Sequence, residues 1–411
     1  MPPPSAARRV HRLSRRPSPK HNNLKNIQSG LNKGQYFALF LIHIIIISYL
    51  CKRLSNALQR QLTEHQYIYQ TTLIGLLGSG SWATAIVKIL LEKQDRHINW
   101  WVREEDSIPV LLEEKHNPLY LSEAYIDTTR TNISSDIREV IEKSDDIYLV
   151  IPSAFVDKAL KGVPRELLRT KRFISAVKGI VPEYTTIITE YLREQIGLDY
   201  SQMSIVSGPS HAEEAARQRL TYLTVASTNR DFAERVRSQL SCHYIKTTYS
   251  TDMTGIECAA VLKNIYAIAA GMCRGLGYGD NIIAVLISDA LQEMTDFMQR
   301  ISPMIGNGDF SADARLRQFE SFAYLGDLLV TSYSQFSRNR TFGNMLGYGY
   351  TVKSAQLEMK MVAEGYYAVK GIKKILKELD MHLPIVEAVY AVLYEKKPID
   401  RTIKKLLENL H

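Results

Sequence analysis

Four cysteines in 411 residues (Cys51, Cys242, Cys258 and Cys273) form no CxxC and no paired spacing, which argues against a disulfide framework and a cysteine-rich zinc site. A reducing compartment suits that usage. No uninterrupted apolar run reaches the about 20 residues of a membrane span, which argues against a polytopic membrane protein. The composition, 45% hydrophobic and 23% charged, also excludes wholesale disorder and a collagen-like fibre, and the length suffices for two domains with cores of their own. Acidic residues are missing from the first 63 positions, where eleven bases stand; the first acid is Glu64. The formal net charge of +8 is therefore unevenly spread. From residue 64 onward 40 bases meet 43 acids, a net of −3. A basic chain invites a nucleic-acid reading, but the bulk of this one is mildly acidic and is expected to bind no nucleic acid.

The first 70 residues differ in texture from the rest. Residues 1–35 are rich in Pro, Ser, Asn, Arg and Lys, a composition that cannot bury enough apolar surface to order itself, and are expected to form a disordered basic extension. Residues 36–51 are apolar except for His43 and Ser48, with Lys and Arg on both sides. A run of this length falls between a signal-peptide core and a full span, and no small-residue cleavage site follows it. Three readings stay open: a membrane anchor giving weak membrane association, an apolar helix lying on the body, and sequence translated upstream of the true start. The lack of any Met between Met1 and Met203 counts against the last. None of the three gives the segment a catalytic role.

The body opens with a strand-like run, TTLIGLL (71–77), followed by Gly78-Ser79-Gly80-Ser81-Trp82-Ala83 and a helical pattern over 84–91. A dinucleotide-binding turn needs a glycine for the tight bend, a second where backbone meets pyrophosphate, and a small residue where helix packs on strand. Gly78, Gly80 and Ala83 stand in those places, and the helix amides would face the phosphates. A small-residue strand-helix turn with no ligand shows the same pattern, so context matters. INWWV (98–102) reads as the second strand, about 20 residues on, where the reader of the adenosine ribose belongs. At its tip stands Arg103, followed by Glu104 and Glu105. An acid at the tip favours NAD, whereas Arg pairs with a 2′-phosphate or lies on adenine. The choice between NAD and NADP stays open, and the plain alternative for Arg103 is a solvated surface base.

Further strands are expected over 146–152, 173–178, 204–207, 223–227 and 244–248. From Met253 onward, apolar-periodic stretches rich in Ala, Leu, Met and Tyr read as helices. The expected fold is α/β: a Rossmann-like dinucleotide-binding domain over 71–250, then an all-α substrate domain over 251–411, with the active site in the cleft between them.

Four more segments carry chemistry. In VKGI (177–180), Lys178 stands at the carboxyl end of a strand, the rim where ligands of open α/β sheets bind. SGPSHAEE (207–214) is a turn whose backbone can approach a ligand. In ECAAVLKNIY (257–266), Lys263 and Asn264 interrupt an apolar helical pattern; lysine is rarely buried without a reason, and its plain alternative is a stem snorkelling to the helix edge. Finally, Gly326-Asp327 leads to Ser337-Arg338-Asn339-Arg340, suited to clamp a phosphate at about 1.5–3 kcal/mol per charge-assisted bond. Alone it would read as a surface loop. His211 and His243 have a spacing that supports no metal site.

Taken in order, GSGSWATA, VKGI, SGPSHAEE, LKNIYAIAAG with GLGYGDN, GDLLVTS, SRNR and VAEG make the chain resemble the bacterial type of NAD(P)-dependent glycerol-3-phosphate dehydrogenase, over roughly residues 72–395. The LKN, GDL and SRNR segments separate that family from other Rossmann dehydrogenases. The chain departs from it in three places: Ala83 replaces a frequent Gly, the stretch 299–320 is longer than typical, and the first 70 residues have no counterpart.

The resemblance implies hydride transfer between C2 of sn-glycerol 3-phosphate and C4 of the nicotinamide, with Lys263 exchanging the hydroxyl proton. Burial and a neighbouring cation such as Lys178 would lower the Lys263 pKa for that task. Lys178, Gly208, Ser210, Asp327, Ser337, Arg338 and Asn339 are implied to contact substrate, Arg338 and Asn339 at its phosphate. Asn264 and Thr331 are implied around the reacting carbon. On the cofactor side stand Ser81, Trp82, Arg103, Lys178, Ala212, Arg338, Val362 and Glu364, with Phe155 packing on nicotinamide or adenine beside the Gly78 and Gly80 loop. NAD or NADP is the only cofactor implied, and no metal. A cytoplasmic homodimer supplying glycerol phosphate from dihydroxyacetone phosphate for phospholipid synthesis is the resulting expectation. Two rivals compete with it. A two-domain dehydrogenase of a β-hydroxy acid or ketopantoate fits the SRNR loop less well, and a nucleotide-sensing binding protein has no need of a reaction-centre lysine.

Overall fold

The computed structural model describes residues 72–301, 322–359 and 363–410. The basic extension, the apolar run 36–51, all but the first three residues of 299–320, and Val362 lie outside the described residues.

Among the described residues eight short strands form one sheet: β1 (Ile74–Leu77), β2 (Ile98–Trp101), β3 (Thr131–Ser134), β4 (Asp146–Leu149), β5 (Arg172–Ser175), β6 (Met203–Ser207), β7 (Thr221–Ala226) and β8 (Ile245–Ser250). Their order is β3-β2-β1-β4-β5-β6-β7-β8. Every neighbouring pair is parallel except β6 and β7. Most of these strands are apolar on both faces, as a parallel sheet covered on both sides demands. Leu76, Trp100, Tyr148, Ile174 and Val206 pack into one core. Their neighbours Leu77, Trp101, Leu149, Phe173 and Ile205 point the other way into a second. Because β1 lies between β2 and β4, the chain changes direction across the sheet there, and a crevice opens at the carboxyl ends of the two strands.

Two sequence expectations need correction. β3 was not foreseen, because TNIS is polar, short and only partly buried, the pattern of an edge strand with little apolar signal. The run 173–178 leaves the ladder at Ser175, so Lys178 stands in the loop beyond β5 rather than on the strand.

Helix α1 (Ser81–Leu91) covers the first core. After β8 only helices follow among the described residues: α2 (Met253–Gly275), α3 (Asp280–Ile301), α4 (Asp327–Tyr333), α5 (Arg338–Gly347), α6 (Glu364–Leu379), α7 (Pro384–Leu393) and α8 (Ile399–Leu407), together with Val352–Glu358 and the helical turn Phe322–Gly326. α2 is buried along its length from Met253 to Cys273. A helix apolar all round belongs inside a protein or a membrane, and α2, long and apolar enough for either, is here the axis around which the others pack. Asp252 caps it, accepting from the Gly255 amide at 2.9 Å. The second core runs without a break from the sheet through α2 to the outer helices, so the described residues form one compact unit. α5 lies against α2 nearly backbone to backbone: a Cβ on Gly343 would stand 2.0 Å from the Ile268 carbonyl oxygen, and one on Gly271 2.1 Å from that of Arg340. That contact brings the start of α5 beside the middle of α2.

Candidate active site

The glycine loop is built by backbone constraint. Gly78 has φ +136°, where a Cβ would fall 2.4 Å from the Val150 carbonyl oxygen, so only glycine turns there. At Gly80 a Cβ would meet nothing within 4 Å, which leaves open space before the N-terminus of α1. Two neutral side chains fix the loop. Trp100 Nε1 donates to the Gly78 carbonyl at 2.7 Å, and Asn117 Nδ2 donates to the Ser79 carbonyl at 2.9 Å and to Thr84 Oγ1 at 2.8 Å. Asn117 Oδ1 accepts from the Leu119 and Tyr120 amides, which completes its valence. A helix N-terminus with a small-residue loop ahead of it attracts an anion through its amides and dipole. Open space at Gly80 fits the pyrophosphate of a dinucleotide.

Facing this loop, buried charge replaces backbone. Lys263, 3% exposed on α2, is ion-paired with Asp327, which is fully buried at the start of α4. Lys178 Nζ lies 3.6 Å from the other carboxylate oxygen of Asp327, to which Ser207 Oγ donates at 3.4 Å. Burial drives the Lys263 ammonium down to about 7, Asp327 opposing and Lys178 reinforcing the shift. Burial alone would raise the Asp327 carboxyl, but the two lysines outweigh it and hold it below its usual value. One carboxylate between two ammonium groups stays ionised and leaves one lysine free to lose its proton near neutrality. His211, tilted against Phe336 with ring centroids 5.8 Å apart, is held neutral by burial and by repulsion from Lys178 and Lys263.

A chain of amides locks the frame. Asn264 Nδ2 donates to the Lys178 carbonyl at 3.0 Å, Asn339 Nδ2 donates to Asn264 Oδ1 at 2.9 Å, and the Gly365 amide donates to Asn339 Oδ1 at 2.9 Å. The β5 loop, α2, α5 and α6 are thereby tied at one point. Ser337 caps α5, accepting from the Arg340 amide at 3.2 Å. Arg338 then reaches across the cleft, its Nη2 donating to Ser81 Oγ at 3.0 Å. Burial raises the Glu364 carboxyl at the start of α6, against the pull of Lys178, Arg338 and Lys263.

Many of these groups line one cleft of about 810 Å³. On its wall stand Gly78, Gly80, Ser81, Trp82, Arg103 and Phe155 from the loop side. Lys178, Ser210, Ala212, Lys263 and Asn264 continue it, and Thr331, Ser337, Arg338, Asn339 and Glu364 close it. Of the described residues assigned a substrate or dinucleotide contact, two are absent from this wall, as is Arg340 of the SRNR segment. Asp327 is fully buried beside the cleft and paired with Lys263 and Lys178. Gly208 serves the turn after β6: at φ +132° a Cβ would stand 2.8 Å from the Tyr222 carbonyl oxygen. The Thr331 hydroxyl donates at 2.6 Å to the Asp327 carbonyl of its own helix. Sequence reasoning missed Glu104, Lys158, Phe336 and the wall role of His211, and also Asn117 beneath the loop. The SGPSHAEE motif pointed at His211, but for Asn117 nothing local did.

A dinucleotide loop at the switch in strand order, with a buried lysine across the same cleft, defines a nicotinamide-dinucleotide-dependent dehydrogenase. Comparison with known proteins narrows the class. The family models for the NAD-dependent glycerol-3-phosphate dehydrogenase N-terminus and C-terminus match residues 73–233 and 252–404. A glycerol-3-phosphate dehydrogenase [NAD(P)+] of Streptococcus sanguinis is 32% identical over 337 residues, 82% of this chain and 95% of that protein. The Syntrophotalea carbinolica enzyme of the same description is 33% identical over 336 residues, 82% and 97% of the two chains. A crystal structure of glycerol-3-phosphate dehydrogenase from Coxiella burnetii superimposes with a TM-score of 0.73 at 28% identity, covering 83% of this chain and all of that one. The chain belongs to the NAD-dependent glycerol-3-phosphate dehydrogenase family, and it is an oxidoreductase that uses NAD or NADP.

Proposed function

We propose that the chain performs its family's reaction, the NAD(P)-dependent interconversion of dihydroxyacetone phosphate and sn-glycerol 3-phosphate, with Lys263 as the proton-transfer group. The observation that carries this is a buried lysine on the cleft wall, poised near neutrality between Asp327 and Lys178. A group with a pKa near the working pH serves as acid in one direction and base in the other. In the reducing direction Lys263 gives its proton to the oxygen on C2; in the oxidising direction it takes that proton back. Lys178 keeps Lys263 from holding its proton too tightly, and Asp327 keeps Lys263 from losing it too readily. Arg338, Ser337 and Asn339 receive the phosphate, Arg338 being the charged member. Asn264 and Thr331 shape the wall around C2, while Ser210 lies beside the substrate on the turn that Gly208 permits. The bound dinucleotide supplies or accepts the hydride. Gly78, Gly80, Ser81, Trp82, Ala212, Phe155, Arg103 and Glu364 hold it, with Val362 assigned to the same role by family resemblance.

In this reading residues 71–250 serve the nucleotide and 251–411 the substrate, and the product feeds phospholipid synthesis in the cytoplasm. A homodimer and a weak membrane association through residues 36–51 complete it. Steady-state rates with NADH or NADPH test the reaction: turnover is expected with dihydroxyacetone phosphate and not with ketopantoate or β-keto acids, and equal turnover of those acids would contradict it. Cell fractionation tests the association: an intact 46.8 kDa chain in the membrane pellet supports it, and a shorter soluble chain refutes it. Sedimentation of a chain beginning near residue 68 at the monomer mass would refute the dimer.

A further inference from the structure

The two residues just past β2 are treated differently by the fold. Arg103 has its side chain 61% exposed, whereas the Glu104 side chain is 21% exposed and drawn in over the glycine loop. Glu104 Oε2 accepts from Ser79 Oγ at 2.6 Å, the serine between the two loop glycines, whose own carbonyl Asn117 holds. The other Glu104 oxygen pairs with the Arg103 guanidinium. Partial burial would raise the Glu104 carboxyl, yet the bonds from Ser79 and Arg103 prevail and keep it below its usual value. The acid is thus fixed and ionised on the wall, and the neighbouring cation is already engaged by it. Lys158, the nearest other base in sequence on this wall, follows β4, on the far side of β1 from β2.

At this place in a dinucleotide fold a carboxylate accepts from the ribose 2′-hydroxyl of NAD, and a free arginine accommodates the 2′-phosphate of NADP. We propose that Glu104 sets the dinucleotide choice of this chain, accepting from the adenosine ribose 2′-hydroxyl and repelling a 2′-phosphate, so that NAD(H) is preferred. A 2′-phosphate dianion there would meet a fixed negative charge and would have to take Arg103 away from it. The inference rests on the reading of residues 78–83 as the dinucleotide site and goes one step further, to the ribose.

Equilibrium titration of the full chain with NADH and with NADPH, followed by quenching of tryptophan fluorescence, tests it alongside kcat/KM for each. The wild-type chain is expected to bind NADH at least ~10-fold more tightly than NADPH, a ratio of one decade being the smallest that marks a real discrimination. Glu104→Gln, which keeps an acceptor for Ser79 but removes the charge, is expected to shrink that ratio by about tenfold, mainly through tighter NADPH binding. Glu104→Asp retains the charge and should keep the NADH preference. Equal or tighter binding of NADPH by the wild-type chain, or an unchanged ratio in Glu104→Gln, would overturn the inference while leaving the loop assignment standing. Binding of neither dinucleotide would overturn the loop assignment and the inference with it.

Discussion

At one end of the cleft the wall is made of backbone; at the other it is made of buried charge. The loop at Gly78 and Gly80 takes its shape from torsion angles and close approach, and Trp100 and Asn117 hold it with uncharged hydrogen bonds. The far end holds Lys263 and Asp327 with almost no access to water, and Lys178 partly buried beside them. Its arrangement survives only because each charge answers another, since desolvating one ion costs several kcal/mol. Side-chain changes around the backbone-built end should therefore be graded and local in their effect. In the charge-built end, removing any member should change the protonation of the rest.

The largest effect is expected at Lys263. Lys263→Ala should lower kcat by roughly 10²–10⁴-fold, the range for loss of a general acid or base, while dinucleotide affinity measured by fluorescence titration stays the same. A retained kcat would remove the proton-transfer assignment. Asp327→Asn comes next: it leaves two cations without their carboxylate, and thermal or denaturant unfolding should show a loss of about 3–5 kcal/mol. Because Asp327 raises the Lys263 pKa, its loss should also move the inflection in dihydroxyacetone phosphate reduction to lower pH. Arg338→Ala should raise KM for dihydroxyacetone phosphate by the about 1.5–3 kcal/mol of a charged hydrogen bond, with far less effect on unphosphorylated dihydroxyacetone. Equal effects on both would argue against a phosphate clamp. The smallest change belongs to the backbone-built end. Asn117→Ala should weaken dinucleotide binding by about 1 kcal/mol, the usual worth of an uncharged bond, with kcat at saturation unchanged.

The same contrast explains what could be read before folding. Dinucleotide loops declare themselves through local spacing, and Gly78, Gly80 and the helix after them were legible for that reason, as were seven of the eight strands. β3 was not, since an edge strand of Thr, Asn, Ile and Ser buries too little to leave a pattern. Lys263 was conspicuous as a charge in an apolar helix. The GDL motif marked Asp327 as a substrate contact, but its pairing with the lysines became visible only in the packing of α4 on α2. Asn117 escaped notice, and Glu104 was named beside Arg103 without a role, because their partners, Ser79 and Thr84, lie tens of residues away. Asn264 and Asn339 were found from sequence, but not the bonds of their carboxamides to each other and to the Lys178 carbonyl and Gly365 amide, which fix their orientation on the wall.

The central claim is that burial and the two neighbouring charges set Lys263 to titrate close to neutrality. The pH dependence of kcat/KM in both directions tests it most directly, once the substrate phosphate's own ionisation near pH 6 is allowed for. Reduction needs the protonated lysine and should fall as pH rises through about 7; oxidation needs the neutral lysine and should fall as pH drops through about 7. Opposed inflections at that pH are the predicted result. Two flat profiles between about pH 6 and 9, or a first inflection near the ordinary lysine value of about 10.4, would contradict it.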